Sequence, residues 1–350
     1  MLDSVKSYYG ETLQKSEDLL TNACCTGAEP PQYIKNLLAQ LHDETLTKYY
    51  GCGLVVPEDL NGASVLDLGC GAGRDVYLLS AMVGEAGRVV GVDMTDQQLS
   101  VARKHQDYHR EKFSHTQSNV SFIQGELENL SVLSFTEESL SANSFDVIIS
   151  NCVINLCTDK AAVLQAAYDL LKPGGEMYFS DVYASRRVPQ DLQNDPILYG
   201  ECLSGAYYWN DFLRAAKDAG FNDPRLVVDS PITVENEALQ EKLGAIEFYS
   251  ATYRLFKIPE LESACEDYGQ AVIYHGGIPH HEQAFKLDGH HTIEKGKVFS
   301  VCGNTEMMLS QTRFAEHFTF IGDRNHHYGI YPGCGHDMPF LRVDNPAACC

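Results

Sequence analysis

Apolar positions along the chain follow two rhythms. Over residues 1–62 they recur at helical spacing. Val5, Tyr8, Tyr9 and Leu13 share one face, and the run Tyr33 to Leu41 carries another. From Ala63 the pattern changes to short apolar runs separated by helical stretches. Ser64–Leu68, Arg88–Val92, Val120–Ile123, Phe145–Ser150 and Glu176–Ser180 read as strands, and Gln97–Tyr108 and Lys160–Leu171 as helices. Such alternation predicts an α/β unit over 63–228, a parallel sheet with helices on both faces and right-handed crossovers. A small section, 229–257, follows with strand-like ends. The remainder, 258–350, has little periodicity. Tyr274, Val298 and Phe299 suggest a few strands in an α+β region, and the stretch Tyr331 to Cys350 is rich in Pro, Gly and Cys.

Charge narrows the function. There are 26 Lys plus Arg against 48 Asp plus Glu, a net charge of -22. Phosphate backbones and anionic lipid both select cationic surfaces, so nucleic-acid and membrane partners are not expected. No run approaches the ~18 apolar residues of a membrane span. Met1 to Gly10 lacks the basic flank and apolar core of a signal peptide. The 12 cysteines are then read as reduced thiols of a cytoplasmic protein rather than a secreted disulfide framework. Nine of the 13 histidines fall after residue 258, including the pairs His280-His281, His290-His291 and His326-His327. With no helix-spaced metal motif beside them, exposed polar residues are the favoured reading.

The strongest local signal is Asp67-Leu68-Gly69-Cys70-Gly71-Ala72-Gly73-Arg74, which leaves a strand and enters a helix. Glycines let the backbone turn and approach a ligand, and the amides of the helix start favour an anionic group. A dinucleotide fingerprint needs its third small residue at position 74, which is Arg, and no Gly-Lys-Ser/Thr follows for a P-loop. The string resembles motif I of class I S-adenosylmethionine-dependent methyltransferases. Further matches occur in order: Asp93 at the end of the second strand, Gly125 and Glu126 after the third, and Leu171-Lys172-Pro173-Gly174-Gly175 before the fifth. The resemblance implies a Rossmann-like fold. It implies cofactor contacts from Asp67, Gly69, Gly71, Gly73, Arg74, Asp93, Met94 and Glu126.

The cysteines point to the acceptor. Cys152 follows the fourth strand and Cys202 lies past the fifth, on the side where a parallel sheet places its ligand crevice. Thiols beside a methyl-cation donor suit a soft acceptor, and trivalent arsenic takes three sulfurs while keeping a lone pair. Zinc spacing is not met: Cys152 and Cys157 are five apart, and Cys24 and Cys25 are adjacent. Cys70, Cys157 and Cys265 read as small buried hydrophobes.

With these strings the chain is similar to the arsenite S-adenosylmethionine methyltransferases of eukaryotic or algal type. The likeness rests on Thr21-Asn22-Ala23-Cys24, Tyr49-Tyr50-Gly51-Cys52-Gly53, Gly91-Val92-Asp93-Met94-Thr95, Ser150 to Leu156, Tyr178 to Tyr183 and Gly200-Glu201-Cys202-Leu203, across roughly 20–257. It implies that Cys52, Cys152 and Cys202 bind arsenic(III), with 229–257 completing the cleft. It also implies that an N-terminal cysteine takes part in thiol–disulfide chemistry, with Cys24 or Cys25 in that place and the Thr-Asn-x-Cys string favouring Cys24. A disulfide such as Cys24–Cys52, reset by glutathione or thioredoxin, is the expected redox step. Tyr50 either contacts the sulfonium or packs beneath the cofactor, and Asn151 holds the cofactor or the Cys152 loop. The single Trp209 is expected to pack at a helix start. Arsenite and methylarsenite are the expected substrates, and a monomer the expected state. The alternative reading is a class I methyltransferase acting on a small organic acceptor.

Overall fold

The computed structural model describes residues 29–48, 51–137, 140–193, 195, 198–199, 202–234, 236–334 and 340. The Val5–Leu13 helix, Cys24, Cys25, Tyr50, Glu201 and the terminal pair Cys349-Cys350 lie outside the described residues.

The chain builds one large sheet. Strands β1 (Ser64–Leu68), β2 (Arg88–Asp93), β3 (Val120–Gln124), β4 (Phe145–Asn151) and β5 (Leu171–Ala184) pair in parallel. After the short β6 (Tyr207–Tyr208), β7 (Arg225–Ile232) and β8 (Phe248–Phe256) close the edge, in the order β3-β2-β1-β4-β5-β8-β7. The inner strands are almost uninterrupted apolar runs because both faces are covered. Val65, Val147 and Ile149 feed one core and Leu66, Ile148 and Phe179 the other, the alternation that a pleated strand imposes.

The five strands read from the sequence pair in parallel as expected, and β8 adds an antiparallel neighbour to both β5 and β7. Two expectations are corrected. The division at 228 falls inside β7, so 229–257 is part of the sheet and not a separate section. The single helix over Gln97–Tyr108 is two helices, Asp96–Lys104 and Gln106–Lys112. His105 breaks it: its ring stacks on His42 at 3.6 Å and its Nε2 meets Glu44 at 2.7 Å, contacts that draw it toward the N-terminal segment.

Residues beyond 257 form a second core around Phe256, Tyr274, Phe285, Phe314 and Phe318. Its three-stranded sheet sets β10 (Gln270–Tyr274) between β13 (Val298–Val301) and β14 (Phe318–Ile321). The fully buried Arg254 of β8 fastens it to the main sheet. Its guanidinium pairs with Glu58 and, at 2.8 Å, with Glu176, while Nη1 donates to the carbonyl of Leu287 at 3.1 Å. Arg313 pairs with Glu176 from the other side. Among the described residues no helix is long and apolar enough to cross a membrane.

Candidate active site

The carboxyl ends of β1, β2, β3 and β4 meet in one cleft. From β1 the chain turns through Gly69, Gly71 and Gly73 at φ of 78°, 52° and 86°, then enters the helix Arg74–Val83. Left-handed backbone is strained for residues with a Cβ, so the repeat of glycine is conformational. Two of the three also answer to packing. A Cβ on Gly69 would lie 2.5 Å from Val153 Cγ1, and one on Gly73 3.1 Å from Ala102 Cβ. At Gly71 a Cβ would meet no protein atom within 4 Å, and this residue lines the cleft.

Asp93 ties the loop down. Its Oδ2 accepts the Gly71 N–H at 2.9 Å and its Oδ1 the Thr95 N–H at 2.8 Å. Burial raises its pKa against these two hydrogen bonds. Asp67 is pushed far above the carboxylate range by burial and by the negative Asp75 and Asp93. The cleft wall thus carries four carboxylates, Asp67, Asp75, Asp93 and Glu128. Its cations are Arg74, 3.5 Å from Asp75, and Lys48. Met94, Asn151 and Cys152 complete the wall opposite the loop.

Cys152 is the first residue past β4 and adopts φ 60°, its N–H bound to the carbonyl of Ser180 at 2.8 Å. Cys202 is also left-handed at φ 61° and directs its Sγ to the Cys152 carbonyl at 3.4 Å. Side-chain-bearing residues held in this region gather at functional sites, where surrounding structure over-determines them. Cys52 is fixed by Asn151, whose Oδ1 accepts its N–H at 3.0 Å, and by Ser250, whose hydroxyl donates to its carbonyl at 2.7 Å. The sulfurs of Cys52 and Cys152 and a carboxylate oxygen of Asp181 all lie within 4.8 Å of one another. All three cysteines are at most 2% exposed and share one apolar cluster.

No role is assigned to Asp181 from the sequence, although it directly follows the predicted strand Glu176–Ser180 and lies within β5. Its carboxylate accepts the N–H groups of Val182 at 2.8 Å and Asn155 at 3.1 Å. Burial, and then the nearby Cys202, push its pKa up to about 8. Gln98, Leu127 and Glu128 also line the cleft unforeseen.

The other expected residues fall as follows. Asp67, Gly69, Gly71, Arg74, Asp93, Met94 and Asn151 reach the wall. Gly73 stands behind it as the cap of the helix. Glu126 turns toward Asn129 at 3.2 Å, and its neighbours Gly125 and Leu127 face the cleft instead. Trp209 does start a helix, Trp209–Asp218, but is 44% exposed, so its packing role is corrected. Cys70 and Cys157 are buried, with thiol pKa values raised by burial, and both line the cleft, whereas Cys265 is only half-buried. Among the described residues, none of the three C-terminal histidine pairs joins a group of three ligand-competent side chains.

Comparisons with known proteins agree with this geometry. Residues 59–220 match the family described as a methyltransferase domain, and residues 268–344 match the arsenite methyltransferase C-terminal domain. The arsenite methyltransferase of Aquipseudomonas alcaligenes is 57% identical over 353 residues, covering 100% of both chains. That of Homo sapiens is 45% identical, covering 91% of this chain and 84% of its own. The crystal structure of an arsenic(III) S-adenosylmethionine methyltransferase from Chlamydomonas reinhardtii superimposes with a TM-score of 0.83 at 48% identity, covering 87% of this chain and 100% of that one. The likeness therefore continues through the C-terminal region, beyond residue 257.

Proposed function

The chain belongs to the arsenite methyltransferases, S-adenosylmethionine-dependent enzymes of the class I fold, and within that family we propose that it methylates arsenic(III) held by the thiols of Cys52, Cys152 and Cys202. The observation that carries the reading is the convergence of Cys52, Cys152 and Asp181 within 4.8 Å, with Cys152 itself on the wall of the glycine-loop cleft.

The donor set fits the cofactor. S-Adenosylmethionine, when bound, supplies a methyl group on a sulfonium centre. A wall of four carboxylates suits a ligand with sulfonium and ammonium charges, and Arg74 and Lys48 suit its carboxylate. Gly71 leaves room for close backbone approach. The contacts expected of Tyr50 and Glu126 remain part of the same proposal.

The thiols load the substrate without redox chemistry. Three S–H groups and the three hydroxyls of arsenite exchange to give three As–S bonds and three waters. The lone pair is then fixed relative to the cleft, and positioning is the main contribution of this chain. Asp181 carries a proton over much of the neutral range, so it does not set a second negative charge against the sulfurs. A reductant of the glutathione or thioredoxin class returns any disulfide formed in turnover, with Cys24 and Cys52 the expected pair, to thiols. We place this chemistry in the reducing cytoplasm, carried out by a monomer as a detoxification step on arsenite and methylarsenite.

The test is methyl transfer from labelled S-adenosylmethionine to arsenite, with a thiol reductant, by the native chain and by Cys152→Ser and Cys202→Ser. Labelled methylarsenicals from the native chain alone are expected. Activity undiminished in Cys152→Ser overturns the thiol assignment. Cofactor binding with no arsenic product turns the reading to an organic acceptor.

A further inference from the structure

A second group of thiols lies in the C-terminal region, remote in sequence from the cleft. Short strands β9 (Glu266–Asp267) and β15 (Gly329–Ile330) pair antiparallel, and the Tyr331 N–H extends the ladder to the carbonyl of Cys265 at 2.7 Å. This return brings Cys334 to Cys265, and the two thiols share a hydrogen bond. From the other side Cys302 caps the helix Gly303–Ser310, its sulfur accepting the Thr305 N–H at 3.4 Å. The same sulfur lies 3.8 Å from Arg225 Nη2 of β7 and hydrogen-bonds the thiol of Cys265. Cys265 thus stands between two partners. Cys302 is 1% exposed, while Cys265 and Cys334 are half-buried and connect the group to solvent.

We propose that Cys265, Cys302 and Cys334 form a second binding site for trivalent arsenicals, separate from the methyl-transfer cleft. The ligand class follows from chemistry at the cluster. Arg225, itself paired with Asp223 at 2.6 Å and Asp288 at 3.2 Å, lies beside Cys302 and favours a thiolate there. A trivalent arsenical brings no net charge. Methylarsenite, with two hydroxyls, condenses with Cys265 and Cys302. Two As–S bonds form, two As–O bonds break, the thiol protons leave in two waters and no electrons are transferred. Cys334 borders this pair on its solvent side. Soft thiolate donors select such a centre over hard ones.

The inference takes its ligand from the proposed function, so the test separates the two. Full-length reduced protein is titrated with methylarsenite, and bound equivalents are counted by native mass spectrometry. Cys265→Ser/Cys302→Ser is compared with Cys152→Ser/Cys202→Ser, serine at 302 keeping the helix cap. The first variant is expected to lose one equivalent while retaining arsenite methylation. The second is expected to lose a different equivalent along with methylation. In that second variant, methylarsenite should slow alkylation of Cys265 by about tenfold. Unchanged stoichiometry in the first variant, or an unprotected Cys265 in the second, overturns the site. Loss of an equivalent in the first variant but not in the second leaves this site standing and removes the thiols from the cleft.

Discussion

Asn151 fastens Cys52 to the end of β4 across 99 positions of sequence. Its Oδ1 accepts the N–H groups of Cys52 at 3.0 Å and Gly53 at 3.2 Å, and its Nδ2 donates to the Gly53 carbonyl at 2.9 Å. A segment without regular structure is thereby held against the sheet, and one thiol of the cluster is located by an amide on the same strand that delivers Cys152. Asn151→Ala leaves buried backbone groups unpaired, which costs about 1–3 kcal/mol. The variant should unfold at lower temperature, and among folded molecules arsenite methylation should drop by about tenfold or more through misplacement of Cys52. Thermal unfolding and steady-state methylation measure the two effects. Native values in both would show that Asn151 does not position this thiol.

Gly69 and Gly71 separate packing from ligand approach within one loop. Both are left-handed, at φ 78° and 52°, so alanine at either costs about 1–2 kcal/mol in backbone strain. Only at Gly69 does the new methyl also collide with Val153. Gly69→Ala should therefore be the more destabilising by denaturant unfolding. Gly71→Ala should keep most of the stability and lose cofactor affinity, because its methyl projects into the cleft. Calorimetric titration with S-adenosylmethionine decides it. Equal affinity in Gly71→Ala and the native chain would place the cofactor elsewhere.

The strands and the glycine turn were legible because each depends on residues close in sequence. Ser64–Leu68 was read at the bounds the structure shows, since a buried strand and its glycine stop both announce themselves locally. The break at His105 was not legible. It depends on His42 and Glu44, some sixty positions away (61 for Glu44), which no helical spacing reveals. The reversal of β8 was hidden for a related reason: an antiparallel strand entering a parallel sheet has the same apolar pattern as its neighbours. At the site, Cys52, Cys152 and Cys202 were nameable from their strings. Asp181 stood in one of those strings unremarked, because only the fold brings its carboxylate to the sulfurs of Cys52 and Cys152. The Cys265–Cys302 contact likewise joins a loop residue to a helix cap far along the chain, which no local pattern encodes.

Arg254 organises the buried charges where the C-terminal region meets the sheet: Glu58 and Glu176 face it from the sheet side, and Arg313 crosses from the C-terminal region to Glu176. Glu58 is buried, which alone would raise its pKa, yet Arg254 holds it below the usual carboxylate range. Arg254→Met removes the cation and leaves Glu58 and Glu176 inside with Arg313 as the remaining partner. Breaking one side of a buried pair costs about 3–5 kcal/mol. Urea unfolding should show a loss of that order, whereas Arg187→Met, at an exposed pair with Asp211, should change little. A near-native midpoint for Arg254→Met would mean that the apolar contacts of Phe256, Phe285 and Phe314 suffice to hold the region in place.

The protonation of Asp181 should be visible in stability against pH. Its pKa in the folded chain is about 8, raised by burial and by Cys202, while an unfolded aspartate titrates near its ordinary value of 3.8. Between these values the folded state retains a proton that the unfolded state has released. The contribution of this group is then fully present below the unfolded pKa and declines as pH rises through the folded one. Asp181→Asn removes that decline. Asparagine cannot accept both the Val182 and Asn155 N–H groups as the carboxyl does, so the variant should start less stable in acid. Its melting temperature should nevertheless gain on that of the native chain as pH increases from about 5 to about 8. The difference in slope, not the offset, carries the test. Parallel profiles would mean that Asp181 is already ionised in the folded protein and sets a negative charge beside the thiols.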